Sequence, residues 1–417
     1  MSSKTKKQKG IQPKLRFPEF KGTSSWEVKQ LNELANRVND RNKSSTIDRV
    51  FTNSAVSGVV DQRDYFDKDI ANKGNLENYF IIEQGDYVYN PRISTSAPVG
   101  PISKNKVGKG IMSPLYTVFR FKNPENDFYD HYFKSSYWHS YIKDASNTGA
   151  RFDRVSITND QFMAMPLPYP SPAEQIKIAS CLASIDELIA FEEQKLTLIT
   201  SHKEWLTREI FPAEDKTVPN LRFGEFKDSW KQKNLMPYLE DYSERVSANT
   251  TLPIYSSTRT GLKPQRDYYD DREIINEGEY GVVPNGYFVY RHMSDDGTFK
   301  FNINKTGSAI AVSKEYPVFK TVDLNPDFLL YKINYGQDFK KFALEQKKGG
   351  TRTRLYFKTL SGWKTLLPSL PEQKKIADLL ISIDDLISSQ IKKIEALRKH
   401  KRGLIQQLLP TVSEVQE

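Results

Sequence analysis

PSPAEQIKIASCLASIDELIAFEEQKLTLITSHKEWLTREIFP, residues 170–212, aligns without a gap on PSLPEQKKIADLLISIDDLISSQIKKIEALRKHKRGLIQQLLP, residues 368–410. The offset is 198 residues, and 18 of the 43 positions are identical, which marks an internal repeat. A heptad runs through the first copy at Ile178, Leu182, Ile185, Ile189, Glu192, Leu196, Ile199, Lys203, Leu206 and Ile210. The second copy places Ile376, Leu380, Ile383, Ile387, Gln390, Ile394, Leu397, Lys401, Leu404 and Leu408 at the same steps. Eight of ten steps are apolar in each copy, and the polar breaks coincide. Apolar residues sustained at this period read as a coiled-coil seam, with the breaks available to specify register or a partner helix. Pro172 and Pro371 stand just before each helix, a glutamate follows in its first turn, and Pro212 and Pro410 end it. Gly403 costs about 1 kcal/mol against alanine, which only a closely approaching neighbour would explain.

From Ile178 to Ile210 such a helix is about 50 Å long. It cannot bury its own stripe; the nearest partner is the other copy, the alternative being that each helix packs on its own domain. A pseudo-twofold repeat makes the pair antiparallel, with a domain at each end of a rod.

Working outward, a second repeated stretch precedes each half. Pro13-Lys-Leu-Arg-Phe-Pro-Glu-Phe-Lys21 returns as Pro219-Asn-Leu-Arg-Phe-Gly-Glu-Phe-Lys227, matching at seven of nine positions, and a tryptophan follows each, Trp26 and Trp230. The regions between are only loosely similar: Gln62-Arg-Asp-Tyr-Phe-Asp67 echoes Gln265-Arg-Asp-Tyr-Tyr-Asp270, and Gly149 to Arg154 echoes Gly350 to Arg354. The chain therefore reads as a tandem duplication of variable domain and helix. Short β-rich runs at Tyr87–Tyr89, Tyr116–Phe121 and Tyr287–Tyr290, separated by polar turns, and helical stretches near 129–144 and 326–346 make each variable domain α+β with a twisted, mainly antiparallel sheet. The expected division is 1–18, a basic arm and the first leading motif; 19–168, a variable domain; 169–212, a helix; 213–367, a second variable domain; 368–410, a second helix; and 411–417, a tail.

Composition narrows the class. Over 417 residues, 38% are hydrophobic and 27% charged, as in globular domains rather than disorder. Net charge is +9 with pI near 9.1, which favours a polyanionic partner, nucleic acid first. The first sixteen residues hold Lys4, Lys6, Lys7, Lys9, Lys14 and Arg16 and no acid, an arm expected to be disordered. The single cysteine, Cys181, excludes an internal disulfide, no apolar run is long enough for a membrane span, and the amino terminus has no apolar segment of a secretory signal. A cytoplasmic protein is expected.

Polar loops rich in Arg, Lys, Asn and hydroxyls suit DNA, since Arg reads guanine, Asn or Gln adenine, and Lys and hydroxyls hold phosphates. The candidate contacts are Arg63, Arg92, Lys106, Arg151 and Arg154 in the first domain and Arg266, Arg291, Arg352 and Arg354 in the second. Arg63 and Arg266, like Arg151 and Arg352, recur in both halves. The same residues equally suit solvated loops or internal ties. No catalytic pattern is present. No glycine-rich phosphate loop occurs, and the five histidines lack metal-ligand spacing; His202 and His400, paired by the repeat, suggest a shared packing site. Asn325-Pro-Asp-Phe328 departs by its missing second proline from an amino-methyltransferase signature and reads as a helix-initiating turn. Glu19-Phe-Lys21 and Glu225-Phe-Lys227 mimic half of a nuclease motif without its Pro-Asp, so packing is the better account.

The Pro-x-Leu-Arg-Phe-x-Glu-Phe stretches, the Glu-Gln openings after Pro170 and Pro368, the Ile-Asp-x-Leu-Ile runs at Ile185 and Ile383, and above all the duplicated order resemble the specificity subunit of Type I restriction-modification systems, over nearly the whole chain. The resemblance implies two target recognition domains, each reading half of a split, asymmetric site in double-stranded DNA. It implies an antiparallel coiled coil that sets the spacer and docks two modification subunits, with restriction subunits joining them. S-adenosylmethionine, ATP and Mg then belong to those partners, and this chain carries no cofactor, metal or catalytic residue. Two other classes stay open on the sequence: a methyltransferase fused to its own specificity region, revived by S-adenosylmethionine binding to the isolated chain, and a coiled-coil scaffold with no DNA role, favoured by absent or salt-insensitive DNA binding.

Overall fold

The structure, a computed structural model, describes residues 10–65, 73–146, 153–213, 216–268, 278–347 and 352–412. Lys4, Lys6, Lys7, Lys9 and Arg151 lie outside the described residues. Two compact units divide the chain: unit 1 is Met1–Phe191 with Ile394–Glu417, and unit 2 is Glu192–Lys393. Each long helix, Pro172–Ile210 and Leu370–Leu408, runs through both units. Pro172 is the first helical residue and Pro371 the second, so the prolines occupy the first turn rather than precede it. A missing N–H costs nothing there, because first-turn N–H groups have no intrahelical acceptor.

In unit 1 the sheet Ala35–Arg37, Thr117–Phe121, Tyr87–Tyr89, Ile102–Lys104 is antiparallel throughout. A second sheet, Gly58–Asp61, Val50–Ser54, Gly110–Met112, Phe80–Ile82, contains one parallel pairing, Val50 and Phe51 beside Ile111 and Met112. Each domain thus holds more than the one sheet expected: in unit 1 the apolar residues of these two sheets fill two separate cores, and Glu27–Gln30 pairs with Pro166–Tyr169 as a further two-stranded sheet. Unit 2 repeats the first sheet as Leu239–Tyr242, Val318–Thr321, Phe288–Tyr290, Phe301–Ile303, beside a three-stranded sheet and a hairpin, Tyr255–Thr258 with Gly261–Pro264. The helical stretches each split in two, Asp127–Phe133 with His139–Ala145 and Pro326–Tyr335 with Gln337–Glu345. In unit 2 the break is at Gly336, where an added Cβ would lie 2.5 Å from the Lys332 carbonyl oxygen.

Each main core takes in the ends of both long helices. In unit 1, Ile178 and Leu182 from the start of the first helix share a cluster with Leu408 and Leu409 from the end of the second, with Leu404 packed against it. In unit 2, Leu206 and Ile210 share a cluster with Ile376 and Leu380. Start against end in each unit means that the helices run antiparallel. The sixteen apolar seam residues are all buried or half-buried, Ile210 and Leu408 among the buried ones. Ile178, Leu182, Ile189, Leu206, Ile376, Leu380 and Ile394 are buried, and Ile185, Leu196, Ile199, Ile383, Ile387, Leu397 and Leu404 are half-buried. Truncating one such buried residue to alanine costs about 2–5 kcal/mol.

The polar breaks are satisfied across the seam. The buried Glu192 accepts from Gln390 Nε2 at 2.6 Å and from Lys393 Nζ at 2.5 Å. Lys203 pairs with Asp384 at 2.5 Å in unit 2, and Lys401 pairs with Asp186 in unit 1, the same pair displaced by the repeat. His202 and His400 are both exposed, His202 stacking on Trp205, so they form no shared packing site. An added Cβ at Gly403 would meet nothing within 4 Å, so no close neighbour explains that glycine.

Candidate nucleic-acid interface

Each unit is fastened to its helices through the leading motif. Arg16, counted with the basic arm in the sequence, instead grips the buried Glu174 with both prongs, Nε and Nη2 each at 2.7 Å, and Trp26 Nε1 donates to the same carboxylate at 3.0 Å. Unit 2 repeats the clamp: Arg222 donates to Glu372 at 2.7 and 2.8 Å, and Trp230 Nε1 at 3.1 Å. Glu19 pairs with Lys177 and Glu225 with Lys375, which accounts for the half-motif as packing. Gln175 and Gln373 donate to the carbonyls of Pro170 and Pro368 at 2.9 and 3.0 Å. The Glu-Gln opening is therefore a joint between domain and helix. The repeat and the conserved spacing flagged these residues, but nothing local in the sequence pairs side chains 158 positions apart.

With the domains fixed, their loops can be placed. In unit 1 the loop holding Arg92 meets the segment holding Arg154 through an antiparallel bridge between those two residues, and Val155 N donates to the Pro91 carbonyl at 2.9 Å. In unit 2 the same junction is a short pairing of Met293–Ser294 with Thr353–Arg354, and Leu355 N donates to the His292 carbonyl at 2.8 Å. The structure thus brings Arg92 to Arg154, and the Arg291 loop to Arg352 and Arg354. Arg92, Arg291, Arg352 and Arg354 are exposed. A third loop, the turn of the Tyr255–Pro264 hairpin, joins them in unit 2, where Arg259 pairs with Asp296 at 2.7 and 2.8 Å. Asp296 sits well below the usual carboxylate range. The Thr298 N–H holds it there first, then the Ser294 hydroxyl and Arg259. Arg352 pairs with Asp295 at 2.9 Å. Arginines held by loop carboxylates are oriented before any ligand arrives, at the cost of exchanging partners when it does.

The other candidates fall elsewhere. Arg63 and Arg266 are exposed on one-turn helices, Gln62–Tyr65 and Gln265–Tyr268, that follow the hairpin of each unit. Lys106 is drawn into a 2.8 Å ion pair with the buried Asp130, beside the long helix rather than at the loop junction. Asn325 caps the helix it begins, its Oδ1 accepting from Phe328 N at 2.9 Å. Among the described residues no group of three or more His, Cys, Asp or Glu could hold a metal ion, and no helix is long and apolar enough to cross a membrane.

Comparison with known proteins agrees with this arrangement. The profile of the family described as Type I restriction modification DNA specificity domain matches residues 23–201 and 245–398, one match in each half. Two relatives from Methanocaldococcus jannaschii are similar in sequence. The Type I restriction enzyme MjaVIII specificity subunit is 24% identical over 72% of this chain and 74% of its own. The MjaIX specificity subunit is 23% identical over 76% of each. Among solved structures, the S subunit of a Type-I restriction-modification system from M. genitalium covers 96% of this chain and 99% of its own at TM-score 0.54 and 12% identity. The HsdS subunit of Thermoanaerobacter tengcongensis covers 94% and 99% at TM-score 0.50 and 14% identity. A duplicated α+β domain, antiparallel helices and a family match to each half lead to one assignment: the chain belongs to the Type I restriction-modification specificity subunits.

Proposed function

We propose that the chain reads a bipartite, asymmetric site in double-stranded DNA, one half per unit, and performs no chemistry itself. The observation that carries this is the convergence, in each unit, of arginine-bearing loops on one junction: the exposed Arg92 with the half-buried Arg154, and the exposed Arg291 with Arg352 and Arg354. Arginine forks suit guanine edges and phosphates alike. The junctions also differ in residue type, Arg92 standing in one half where Met293 stands in the other, so the half-sites read should differ. Two readers of modest affinity on one support gain by effective concentration only when the support matches the DNA spacing.

In this reading the helices also dock two modification subunits, which bring S-adenosylmethionine to adenine N6, and restriction subunits, which use ATP and Mg, all in the cytoplasm. The test is a methylome of the host with and without the gene. A split adenine motif is expected to vanish on deletion and return on complementation. A motif that persists unchanged in the deletion strain would sink the reading.

A further inference from the structure

Beside the loop junction of unit 1 lies a pocket of about 550 Å³, lined by Arg37, Tyr116, Thr117, Arg154, Ser156 and Asn159 among others. Among the described residues no carboxylate lines it, though Asp153 contacts Arg154 Nη2 at 3.4 Å. The Nε atoms of Arg37 and Arg154 are both buried and have no hydrogen-bond partner among the described residues. Native folds rarely leave buried N–H donors unmet, and two in one pocket, both on guanidinium groups, call for an acceptor that is not part of the chain.

The corresponding place in unit 2 is of mixed sign. Arg37 stands beside Phe119 in the strand pairing of the main sheet, and Asp241 stands beside Phe319 at the same step of unit 2. The unit 2 pocket, about 270 Å³, is lined by Asp241, Glu244 and Glu315 together with Arg245, His292 and Lys314. One cradle is cationic, with an unpartnered Nε on each of two arginines while Arg154 Nη2 contacts Asp153 at 3.4 Å, and the other mixes acids and bases. An unpartnered buried nitrogen lines the unit 2 pocket as well, His292 Nδ1, but among the described residues no unpartnered guanidinium does.

We propose that Arg37 and Arg154 together hold one backbone phosphate of the DNA bound by unit 1, fixing the register of that half-site on the loop junction, while unit 2 has no such phosphate seat. This rests on the DNA-recognition reading above. A phosphate presents several acceptor oxygens to two forks, fits a pocket without carboxylates, and carries no sequence information itself.

The experiment measures duplex binding by the assembled complex across 50 to 200 mM salt, using DNA that carries its mapped site. Each phosphate contact contributes about 0.9 to the slope of log affinity against log salt. The R37Q/R154Q double variant should lose about 0.9 of slope, so its affinity falls roughly 3.5-fold less over that range than the wild type's. Because the remaining arginine still neutralises the same phosphate, each single variant should keep most of the slope and raise Kd at every salt concentration. The ratio of specific to non-specific binding should hold. Arg37→Lys with Arg154→Lys, which keeps both charges and removes the forks, should retain the slope and raise Kd at every salt concentration. Asp241→Asn should leave the slope unchanged. A double variant that assembles normally and shows the wild-type slope overturns the proposal alone, and a wild-type complex that fails to bind DNA overturns the recognition reading with it. Inorganic phosphate that raises the melting temperature of the wild type but not of the double variant, with no change in slope, would assign the pocket to a free oxyanion and overturn the DNA assignment.

Discussion

Glu174 is the residue on which unit 1 is most exposed to a single change. It is 1% exposed, and its charge is balanced by the Arg16 fork and the Trp26 N–H. Arg16→Ala leaves a buried carboxylate with one neutral donor, which costs about 3–5 kcal/mol where a buried pair is broken from one side. Arg222→Ala should do the same to Glu372, and urea unfolding of each variant measures it. His131 gives a second prediction. Burial, with Lys134 and Lys401 adding repulsion that Asp130 and Asp186 oppose, lowers its pKa to about 4. An unfolded histidine titrates near 6.5. Between those values the unfolded chain holds a proton that the native chain does not, so stability falls as pH falls, by up to about 1.4 kcal/mol per unit, or roughly 2 kcal/mol by pH 5. His131→Tyr, the residue that Tyr331 supplies at the same helical step of unit 2, should remove that component. Unfolding curves at pH 7 and pH 5 decide it, and an unchanged pH dependence in the variant would refute the assignment. The repeat made Arg16, Trp26 and Glu174 legible as a set, but their contact was not, because it joins residues far apart in sequence. Glutamate in a first turn is explained well enough by the helix dipole that nothing demanded a partner.

At the scale of the helices, a seven-residue period is local information, so the seam could be read before any contact was known. The polar breaks could be located but not interpreted. Glu192 and Gln390 occupy equivalent steps of the two copies and meet, as equivalent residues must where antiparallel copies cross. Gln390→Leu alone strands a buried carboxylate that keeps only Lys393, at a cost of about 1–3 kcal/mol. Glu192→Leu with Gln390→Leu should recover that loss or exceed the wild type, since well-packed apolar residues often replace buried polar groups without penalty. A double variant less stable than the single in urea unfolding would show that the pair contributes net stability. If the pair instead marks register, the double variant should be stable and assemble poorly with its partner subunits. The loops were the least legible elements. Arg352 reads in the sequence as a loop cation, yet Asp295 holds it, as Asp296 holds Arg259, and only the fold puts those carboxylates within reach.

For the whole molecule, the division into units says where length can be changed without disturbing either half. The boundaries fall between Phe191 and Glu192 in one helix and between Lys393 and Ile394 in the other. The Lys401–Asp186 pair lies within unit 1, and the Lys203–Asp384 and Glu192–Gln390 pairs lie within unit 2. One heptad inserted at both boundaries adds two turns to each helix, restores the seam on either side and leaves all three pairs inside their own units. Seven residues lengthen a helix by about 10.5 Å. Along DNA, at about 3.4 Å per base pair, that is roughly three base pairs. If the helices set the separation of the two half-sites, the modified motif should keep both half-site sequences and gain about three base pairs of spacer, read directly from a methylome. A heptad in only one helix leaves seven residues without a partner and should abolish modification. Four residues added to both helices break the seven-residue period and should do the same, since the apolar stripe then leaves the seam. An unchanged spacer in the paired insertion, or a single insertion that modifies DNA as before, would mean that something other than the helices measures the gap.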